Sequence, residues 1–379
     1  MEAATPLARL LARRIALAGP LTVADFMAEA LGHPEHGYYR QGERLGAAGD
    51  FVTAPEISQM FGELIGLWLV DQWTRLGEPA AVRLAELGPG RGTLMADALR
   101  AARLRPAFLA ALSLHLVESS RSLRAEQAAR LAGLLPEGAA PAWHESLAEI
   151  PADGPLLLVA NEFFDALPVH QLVRAGGGWR ERGVGLDAEG RLCFALLPAG
   201  PAAALLPPAA AAAAPEGAVL ELCPAGLALA AAVARRVVGA GGAALIVDYG
   251  HAGGFGDTLQ AVRRHRRVSP LDAPGETDLT AHVDFAALAA AARSAGAAVF
   301  GPVGQGPLLL GLGLQQRAAT LTARGNPAQR AAIEAAGRRL CDPGEMGTLF
   351  KALAIAAPGA AAPAGFAPPE LAAGGLGTE

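Results

Sequence analysis

Three glycines at alternate positions are the feature of this chain that most restricts its fold. An apolar segment that contains Glu86 leads into Gly88, Gly90 and Gly92, and a helical pattern begins at Thr93. Glycine permits positive φ and lets the backbone approach a ligand closely, and the first turn of a helix offers free N–H groups. The sequence therefore predicts a strand, a glycine-rich turn and a helix that bind a nucleotide-like ligand.

The spacing of the glycines indicates the kind of ligand. A dinucleotide-binding turn has the pattern G-x-G-x-x-G, whereas this chain has G-x-G-x-G, with Pro89 after the first glycine and Glu86 two residues before it. The pattern resembles the first motif of S-adenosylmethionine-dependent methyltransferases. S-adenosylmethionine has no pyrophosphate, and its cationic amino and sulfonium groups suit a nearby carboxylate. The alternative is a glycine-rich turn that binds no ligand.

A second carboxylate supports a nucleotide-like ligand. The segment 111–117 is predicted to be the next strand, and Glu118 and Ser119 follow it. In dinucleotide-binding folds an acidic residue about 20 residues beyond the glycines binds the ribose hydroxyls. We therefore assign Glu118 and Ser119 to the cofactor site. The alternative for Glu118 is a solvated position at the end of a strand.

Strands and helices alternate from residue 81 onwards. Such alternation predicts an α/β fold of the Rossmann-like type, with a mostly parallel sheet and helices on both faces. Continuous apolar runs at 156–160 and 244–247 fit strands that are covered on both sides. The predicted strands are 81–87, 111–117, 155–160, 243–248 and 297–300, and the predicted helices are 93–104, 120–134, 225–238 and 283–295.

The chain is predicted to have three regions. Residues 1–80 form an N-terminal helical region and lid, residues 81–357 form the core, and residues 358–379 form a flexible tail rich in Ala, Pro and Gly. The core carries insertions at about 170–216 and 310–345. Within the first region, apolar residues at helical spacing predict a helix from Ile57 to about Leu76. Turn signals within 170–197 predict an inserted β-hairpin, and a last strand is predicted at 347–355.

Composition and charge argue against several classes of function. The net charge is −5 without a basic stripe, which argues against nucleic acid as the main ligand. No run of about 18 strongly apolar residues is present, so we expect no membrane insertion. Cys193, Cys223 and Cys341 are far apart, which predicts neither a metal site nor disulfides and fits a reducing cytoplasm. The basic run 263–267 predicts either a solvated helix end or a contact for an acidic partner.

The segment after the predicted strand 155–160 carries candidate catalytic residues. Asn161, Glu162, Phe163, Phe164 and Asp165 follow one another there, and ligands of open parallel sheets bind beyond the carboxyl ends of the strands. Two carboxylates would hold a guanidinium in a fixed plane, and Asn161 would orient the site. Phe163 and Phe164 are assigned to the substrate, although both also suit packing. The alternative is a polar loop that only ends the strand.

Five segments in this order resemble one family. They are 49–58, 86–92, 161–168, 247–250 and 278–285. Together they resemble the MidA-type class I S-adenosylmethionine-dependent methyltransferases, and the resemblance extends from about residue 20 to 357. That family includes the mitochondrial protein-arginine methyltransferase needed for assembly of respiratory complex I.

The resemblance implies a reaction and a partner. It implies methyl transfer from S-adenosylmethionine to an arginine on the 49 kDa-type subunit of complex I. In a bacterium that subunit would belong to the proton-pumping NADH:quinone oxidoreductase, and the enzyme would be cytoplasmic. Three competing hypotheses are a different protein or small-molecule acceptor, a nicotinamide oxidoreductase, and an assembly chaperone that only binds S-adenosylmethionine. The oligomeric state is not predicted.

Further candidate residues come from position along the predicted sheet. Asp50 and Thr53 precede the first core helix and are assigned to the methionine end of the cofactor, with a simple helix-entry turn as the alternative. Ser146 and Leu147 follow the presumed third strand, where class I methyltransferases usually bind adenine. Asp278 and His282 are assigned to the substrate channel, and a structural role is the alternative for His282.

Overall fold

The computed structural model describes residues 4–40, 52–207, 211–212 and 214–366, so the predicted site residue Asp50 lies outside the described residues. The helices are α1 (Pro6–Ala18), α2 (Val23–Gly32), α3 (Ala54–Ile57), α4 (Gln59–Arg75), α5 (Thr93–Ala102), α6 (Pro106–Ala111), α7 (Arg121–Leu131), α8 (Pro224–Ala240), α9 (Phe285–Ser294), α10 (Gln305–Gly311), α11 (Leu314–Arg324), α12 (Pro327–Cys341) and α13 (Met346–Leu349). The strands are β1 (Leu21–Thr22), β2 (Val82–Leu87), β3 (Leu112–Val117), β4 (Ala142–His144), β5 (Leu156–Asn161), β6 (His170–Ala175), β7 (Gly178–Leu186), β8 (Leu192–Leu197), β9 (Val219–Leu222), β10 (Gly242–His251), β11 (Gln260–Arg263), β12 (Arg266–Val268), β13 (Asp278–Thr280), β14 (Val283–Asp284), β15 (Ala298–Gly304) and β16 (Phe350–Ala356).

A mostly parallel sheet with the order β15–β16–β10–β5–β2–β3–β4 forms the centre of the fold. Strands β10, β5, β2, β3 and β4 are parallel, whereas β16 runs antiparallel between β15 and β10. Every residue of β5 is buried, because apolar cores lie on both faces of the sheet. The predicted α/β fold is confirmed, and the carboxyl ends of the parallel strands meet at one edge, where such folds bind ligands.

Two predicted elements differ from the structure at their ends. The helix predicted from Ile57 to Leu76 is interrupted at Ser58, whose extended backbone (φ −162°, ψ 137°) separates α3 from α4. The Ser58 hydroxyl accepts the N–H of Met60 at 3.2 Å and so caps α4. The strand predicted at 347–355 begins only at Phe350, because a short helix precedes it.

The first insertion forms a larger sheet than the predicted hairpin. Strands β6 to β9 pair in antiparallel fashion, and β1 from the N-terminal region joins the same sheet, with Leu21 opposite Val184 of β7. Leu7, Phe26 and Val184 belong to one buried core beneath this sheet. The N-terminal helices therefore pack with the insertion, and the boundary near residue 80 stays a prediction.

The second insertion consists of the helices α10 to α13. Arg317 of α11 binds Glu63 of α4 through two hydrogen bonds of 2.6 Å, which fixes the insertion on the core. Phe366 packs in the same core as Leu308, so the described part of the predicted flexible tail contacts the core. In the described ranges, none of the helices has the length and apolar character that crossing a membrane requires.

The basic run 263–267 forms a β-hairpin, and the predicted helix end was wrong. Arg263 ends β11, Arg266 begins β12, and Arg264 and His265 between them have left-handed backbones with φ of +52° and +60°. The cause is local pairing, since Val262 and Arg263 face Arg267 and Arg266 across an antiparallel ladder. The basic side chains of residues 264–267 are exposed. Strand β12 of this hairpin is an edge strand of a three-stranded sheet with the order β12–β11–β13.

Candidate functional site

A cleft of about 450 Å³ opens at the carboxyl ends of the central strands, which is within the range of about 300–1,000 Å³ usual for small-molecule sites. Its walls come from the glycine turn, from the loop after β5, and from the N-terminal region together with β13. The predicted site residues that line it are Thr53, Glu86, Gly88, Pro89, Gly90, Thr93, Glu118, Ser119, Asn161, Glu162, Phe163, Asp165 and Asp278.

The glycine turn has a backbone that favours glycine at each of the three positions. The φ angles of Gly88, Gly90 and Gly92 are +61°, +51° and +78°, all in the left-handed region. A Cβ atom at Gly88 would lie 2.6 Å from Cδ2 of Phe163, whereas one at Gly90 would have no neighbour within 4 Å. Gly92 is the N-cap of α5 and does not line the cleft. The turn therefore places the backbone of Gly88 and Gly90, not side chains, at the cleft wall.

Glu86 is a buried carboxylate at the end of β2. Its residue is 2% exposed, and burial raises the pKa of its carboxyl group to about 8. Its Oε2 atom has no hydrogen-bond partner among the described residues. A buried polar atom without a partner destabilises the folded protein. Glu86 is therefore suited to a cationic ligand group, which would favour the ionised carboxylate.

Glu118 is held at the cleft by backbone and side-chain donors. The N–H of Ser120 donates to Oε1 at 2.7 Å, and the Gln127 amide donates to Oε2 at 3.3 Å. The same Gln127 amide donates to the carbonyl of Gly90 at 2.6 Å, and Trp143 donates to its oxygen at 2.8 Å. Burial raises the pKa of Glu118, while these donors act in the opposite direction. Gln127 thus couples the glycine turn to Glu118, a role that no motif in the sequence signals.

Thr93 lines the cleft, and its hydroxyl group also forms hydrogen bonds with two protein side chains. Its hydroxyl donates to Glu56 and accepts from Nη1 of Arg130 at 2.7 Å. Glu56 lies on α3 and Thr93 begins α5. The threonine therefore joins the segment around Thr53 to the glycine turn.

Glu162 has a strained backbone and defined side-chain donors. Its φ of +49° lies in the left-handed region, which costs a non-glycine residue about 1–3 kcal/mol and occurs often at functional sites. The N–H of Ala54 donates to its Oε1 at 2.8 Å, and the Asn161 amide donates to the same atom at 3.1 Å. Burial nevertheless raises the pKa of Glu162 to about 7. The carboxylate is thus fixed in position and titrates near neutral pH.

Asp248, at the end of β10, shapes the loop after β5. Its Oδ2 accepts the backbone N–H groups of Phe163, Phe164 and Asp165 at 3.1, 2.9 and 3.2 Å. Its Oδ1 accepts the N–H of Tyr249 at 2.9 Å. Asp248 is fully buried, and burial raises its pKa while the N–H donors oppose the rise. The sequence places Asp248 in a family segment but does not reveal this positioning role.

Asp165 and Tyr249 lie side by side in the cleft. Burial raises the pKa of Asp165 to about 6, although the Tyr249 hydroxyl favours its ionised form. The Oδ1 atom of Asp165 and the Oδ1 atom of Asn161 have no hydrogen-bond partner within the described ranges. Both atoms are therefore acceptors available to a ligand that donates hydrogen bonds.

Asp278 and Tyr39 line the cleft and contact each other. The Tyr39 hydroxyl donates to Oδ1 of Asp278 at 3.4 Å. Burial and the nearby carboxyl groups of Asp278 and Asp165 raise the pKa of Tyr39 well above its usual range, so the phenol stays neutral. The N-terminal region and β13 therefore contribute one wall together, and no sequence motif indicates Tyr39.

The structure places four other predicted site residues away from the cleft. Ser146 and Leu147 line a separate groove beside Arg236, because the chain turns away after the short β4. Phe164 is buried in a core, and it lines a small second cavity together with His282. His282 packs edge-on against Tyr249, with 5.5 Å between ring centroids, and lines the second cavity but not the cleft. The structure thus separates these residues from the main site.

The cleft fits S-adenosylmethionine. The partnerless Oε2 of Glu86 suits a cationic amino group, and the glycine turn lets the backbone approach the ligand closely. Glu118 follows β3 in the position that binds ribose hydroxyls in related folds. No cluster of three or more His, Cys, Asp or Glu residues in the described part of the chain could hold a metal ion.

Comparison with known proteins identifies the class. The fold and the cleft are those of an S-adenosylmethionine-dependent methyltransferase, and the family model described as "Putative S-adenosyl-L-methionine-dependent methyltransferase" matches residues 64–303. A Burkholderia thailandensis protein solved with bound S-adenosyl-homocysteine has a TM-score of 0.80 and 30% identity, covering 97% of this chain and 98% of that protein. The chain therefore belongs to this methyltransferase family, as the resemblance to the MidA-type enzymes predicts, and its cofactor is S-adenosylmethionine.

Relatives with assigned activities are also similar over most of the chain. The mitochondrial protein arginine methyltransferase NDUFAF7 of Mus musculus is 39% identical, covering 93% of this chain and 84% of the relative. The Homo sapiens protein of the same name is 37% identical over 93% of this chain and 83% of the relative.

Proposed function

We propose that this methyltransferase modifies an arginine of the 49 kDa-type subunit of respiratory complex I and so supports assembly of the complex. The observation that carries the proposal is the set of three carboxylates that line the cleft, Glu162, Asp165 and Asp278, of which Asp165 and Asp278 are buried and Glu162 is partly buried. Arg91, a basic residue of the lining, is itself paired with Glu126 at 2.5 Å. The named relatives that are protein arginine methyltransferases support the same acceptor class.

The carboxylates give a chemical role to this end of the cleft. When bound, S-adenosylmethionine supplies an electrophilic methyl group, and the transfer is an in-line displacement that depends on positioning. Glu162 and Asp165 would hold the guanidinium plane through charge-assisted hydrogen bonds. Because their pKa values lie at about 7 and about 6, either carboxylate can take the proton that the attacking nitrogen loses. Asn161 and Asp248 keep these groups in place.

A labelling experiment tests the acceptor. Purified protein is incubated with labelled S-adenosylmethionine and the 49 kDa-type subunit of the same organism, and the product is mapped by mass spectrometry. We expect label on an arginine, lost in the Glu162→Gln/Asp165→Asn variant and retained in Glu334→Gln, which changes an exposed carboxylate. Cofactor binding without transfer to that subunit would indicate another acceptor. An unaltered complex I in cells with the double variant would favour a chaperone.

We also propose a bacterial cytoplasmic location. The cysteines Cys193, Cys223 and Cys341 are free thiols, which fits a reducing compartment. The NDUFAF7 relatives named above are mitochondrial proteins, whereas the similar solved structure comes from the bacterium Burkholderia thailandensis. Immunoblotting of fractionated cells of the source organism tests it, and recovery with a mitochondrial fraction would overturn it.

A further inference from the structure

The basic hairpin belongs to the same small sheet as one wall of the cleft. Strand β11 pairs with β12 on one side and with β13 on the other. Val262 lies opposite Arg267 in the first pair and opposite Asp278 in the second. Arg267, Val262 and Asp278 therefore form one row across the sheet. Since neighbouring strands lie about 4.8 Å apart, the Cα atoms of Arg267 and Asp278 are about 10 Å apart.

The two faces of this sheet have different surroundings. Ala261, Leu279 and Val268 form the neighbouring row and pack in the core beneath the N-terminal helices. Because side chains alternate along a strand, the row of Arg267 and Asp278 occupies the opposite face. Asp278, on that face, lines the cleft. Arg267 is thus an exposed cation on the same face as an acidic wall of the acceptor site.

The surroundings of Arg267 are basic. No carboxylate of the described residues forms an ion pair with Arg267. Burial, and then the positive charges of His251, Lys351 and Arg267, lower the pKa of His282, so the field of Arg267 extends toward the sheet edge behind Tyr249. An anionic group of a ligand would be stabilised here.

The hairpin also has a strained tip. Arg264 and His265 have φ of +52° and +60°, in a turn where Asn and Gly are strongly preferred. Strain of this kind clusters at functional sites. The sequence therefore has basic residues at two turn positions where Asn or Gly would give a more stable turn.

We propose that Arg267 is a specificity-determining residue that binds an Asp or Glu three or four positions from the methylated arginine of the protein substrate. The proposal rests on the proposed arginine-methylating function. Three residues of an extended peptide cover about 10 Å, which matches the distance between the Cα atoms of Asp278 and Arg267 across the sheet. Because the Arg267 side chain is long, it can also reach an acid four residues from the arginine. The cleft binds the cationic arginine, and the hairpin binds the acid that follows or precedes it.

A charge-swap experiment tests this pairing. The modified arginine of the 49 kDa-type subunit is mapped, and each Asp or Glu within five positions is changed singly to its amide. We expect one replacement, three or four positions away, to lower kcat/KM about tenfold with the wild-type enzyme and to have little further effect with Arg267→Gln. A Lys at that substrate position is expected to restore turnover by Arg267→Glu. Arg266→Gln is the matched control, since Arg266 is also exposed but lies on the other face.

The outcomes separate the two proposals. Labelled arginine with no coupling between Arg267 and any nearby acid, or an equal effect of Arg266→Gln, overturns the specificity proposal and leaves the acceptor proposal intact. The absence of an acid within five positions overturns it in the same way. Absence of arginine labelling overturns both. The affinity for S-adenosylmethionine, measured by calorimetry, is expected to be equal in all these variants, which excludes misfolding as the cause.

Discussion

The carboxylate of Asp248 accepts the backbone N–H of Phe164 at 2.9 Å, which joins the end of β10 to the loop after β5. The same oxygen accepts the N–H groups of the residues on either side of Phe164. A carboxylate offers only acceptors, so it can gather three N–H groups at one point. The side chain of Asp248 thus determines the direction in which the acidic residues of the loop point.

The first prediction concerns Asp248→Asn. In either orientation the new NH₂ group faces a backbone N–H, so at least one donor is left buried and unpaired. We expect kcat to fall about 100-fold, equivalent to about 2.7 kcal/mol, with the Kd for S-adenosylmethionine within about threefold of wild type. Steady-state kinetics and calorimetry measure both. Asp257→Asn is the control, since Asp257 is an exposed residue between β10 and β11 that pairs with Arg182 of β7. A variant with normal kcat would show that Asp248 does not position the loop.

A second prediction concerns Glu86→Gln. In the unfolded chain Glu86 ionises near 4.5, whereas in the folded protein its pKa is about 8. Between these values the folded state retains a proton that the unfolded state has lost, so this group lowers stability progressively as pH rises from about 4.5 to about 8. The amide removes the penalty. We expect a higher Tm for the ligand-free variant, with a gain larger at pH 8 than at pH 5, and loss of S-adenosylmethionine binding. Thermal unfolding at both pH values is the measurement, and an equal Tm gain at the two values would contradict it.

The third prediction compares two alanine substitutions in the glycine turn. Gly88→Ala and Gly90→Ala both place a Cβ at positive φ, which costs roughly 1 kcal/mol. Gly88→Ala also brings the Cβ to 2.6 Å from Phe163, whereas Gly90→Ala meets no protein atom within 4 Å. We therefore expect the free energy of unfolding to fall by about 1–3 kcal/mol more for Gly88→Ala. Urea unfolding of the ligand-free proteins measures the difference. Equal losses would mean that Phe163 moves aside freely.

The fourth prediction is a pH dependence of turnover. Burial raises the pKa of Glu162 to about 7 and of Asp165 to about 6. Below these values the carboxylates become protonated while the guanidinium, with a pKa above about 12, stays charged. We expect kcat/KM for the protein acceptor to rise between about pH 5.5 and 7.5 and then level off. The profile of Glu162→Gln is expected to lose the upper part of this rise. A flat wild-type profile would argue against ionised carboxylates at the acceptor.

Local sequence patterns predict the part of the cleft around the glycine turn better than the part formed by the N-terminal region and β13. The glycines, Glu86 and Glu118 lie within or directly after predicted strands, where apolar runs and turn residues are locally readable. Tyr39 and Asp278 meet across 239 residues of sequence, and Asp248 reaches Phe164 across 84. No local pattern encodes such contacts, so Tyr39, Gln127 and the role of Asp248 were missed.

The misplaced residues have a related cause. Ser146 and Leu147 are predicted site residues because they follow a strand after which class I methyltransferases usually bind adenine. However, β4 has only three residues, and the following chain packs Leu147 against the core. His282 lies beyond the end of β13, which stops at Thr280. It lines the second cavity and packs against Tyr249, whereas Asp278 lines the cleft. Strand direction is predictable from the sequence, whereas the turn that follows a strand depends on its partners.

The contacts that the N-terminal region makes with segments far along the chain have a consequence for the order in which the site can form during synthesis. Thr5 donates to the carbonyl of Pro274, 269 residues further along, whereas Gln127 reaches Gly90 across only 37. Chains leave the ribosome from the N-terminus, and contacts between distant segments form slowly. The cofactor turn can therefore assemble on a nascent chain early, while the wall that holds Tyr39 must wait for nearly three quarters of the protein. A prematurely terminated chain would keep the glycine turn and Glu118 but lack Asp278 and the basic hairpin.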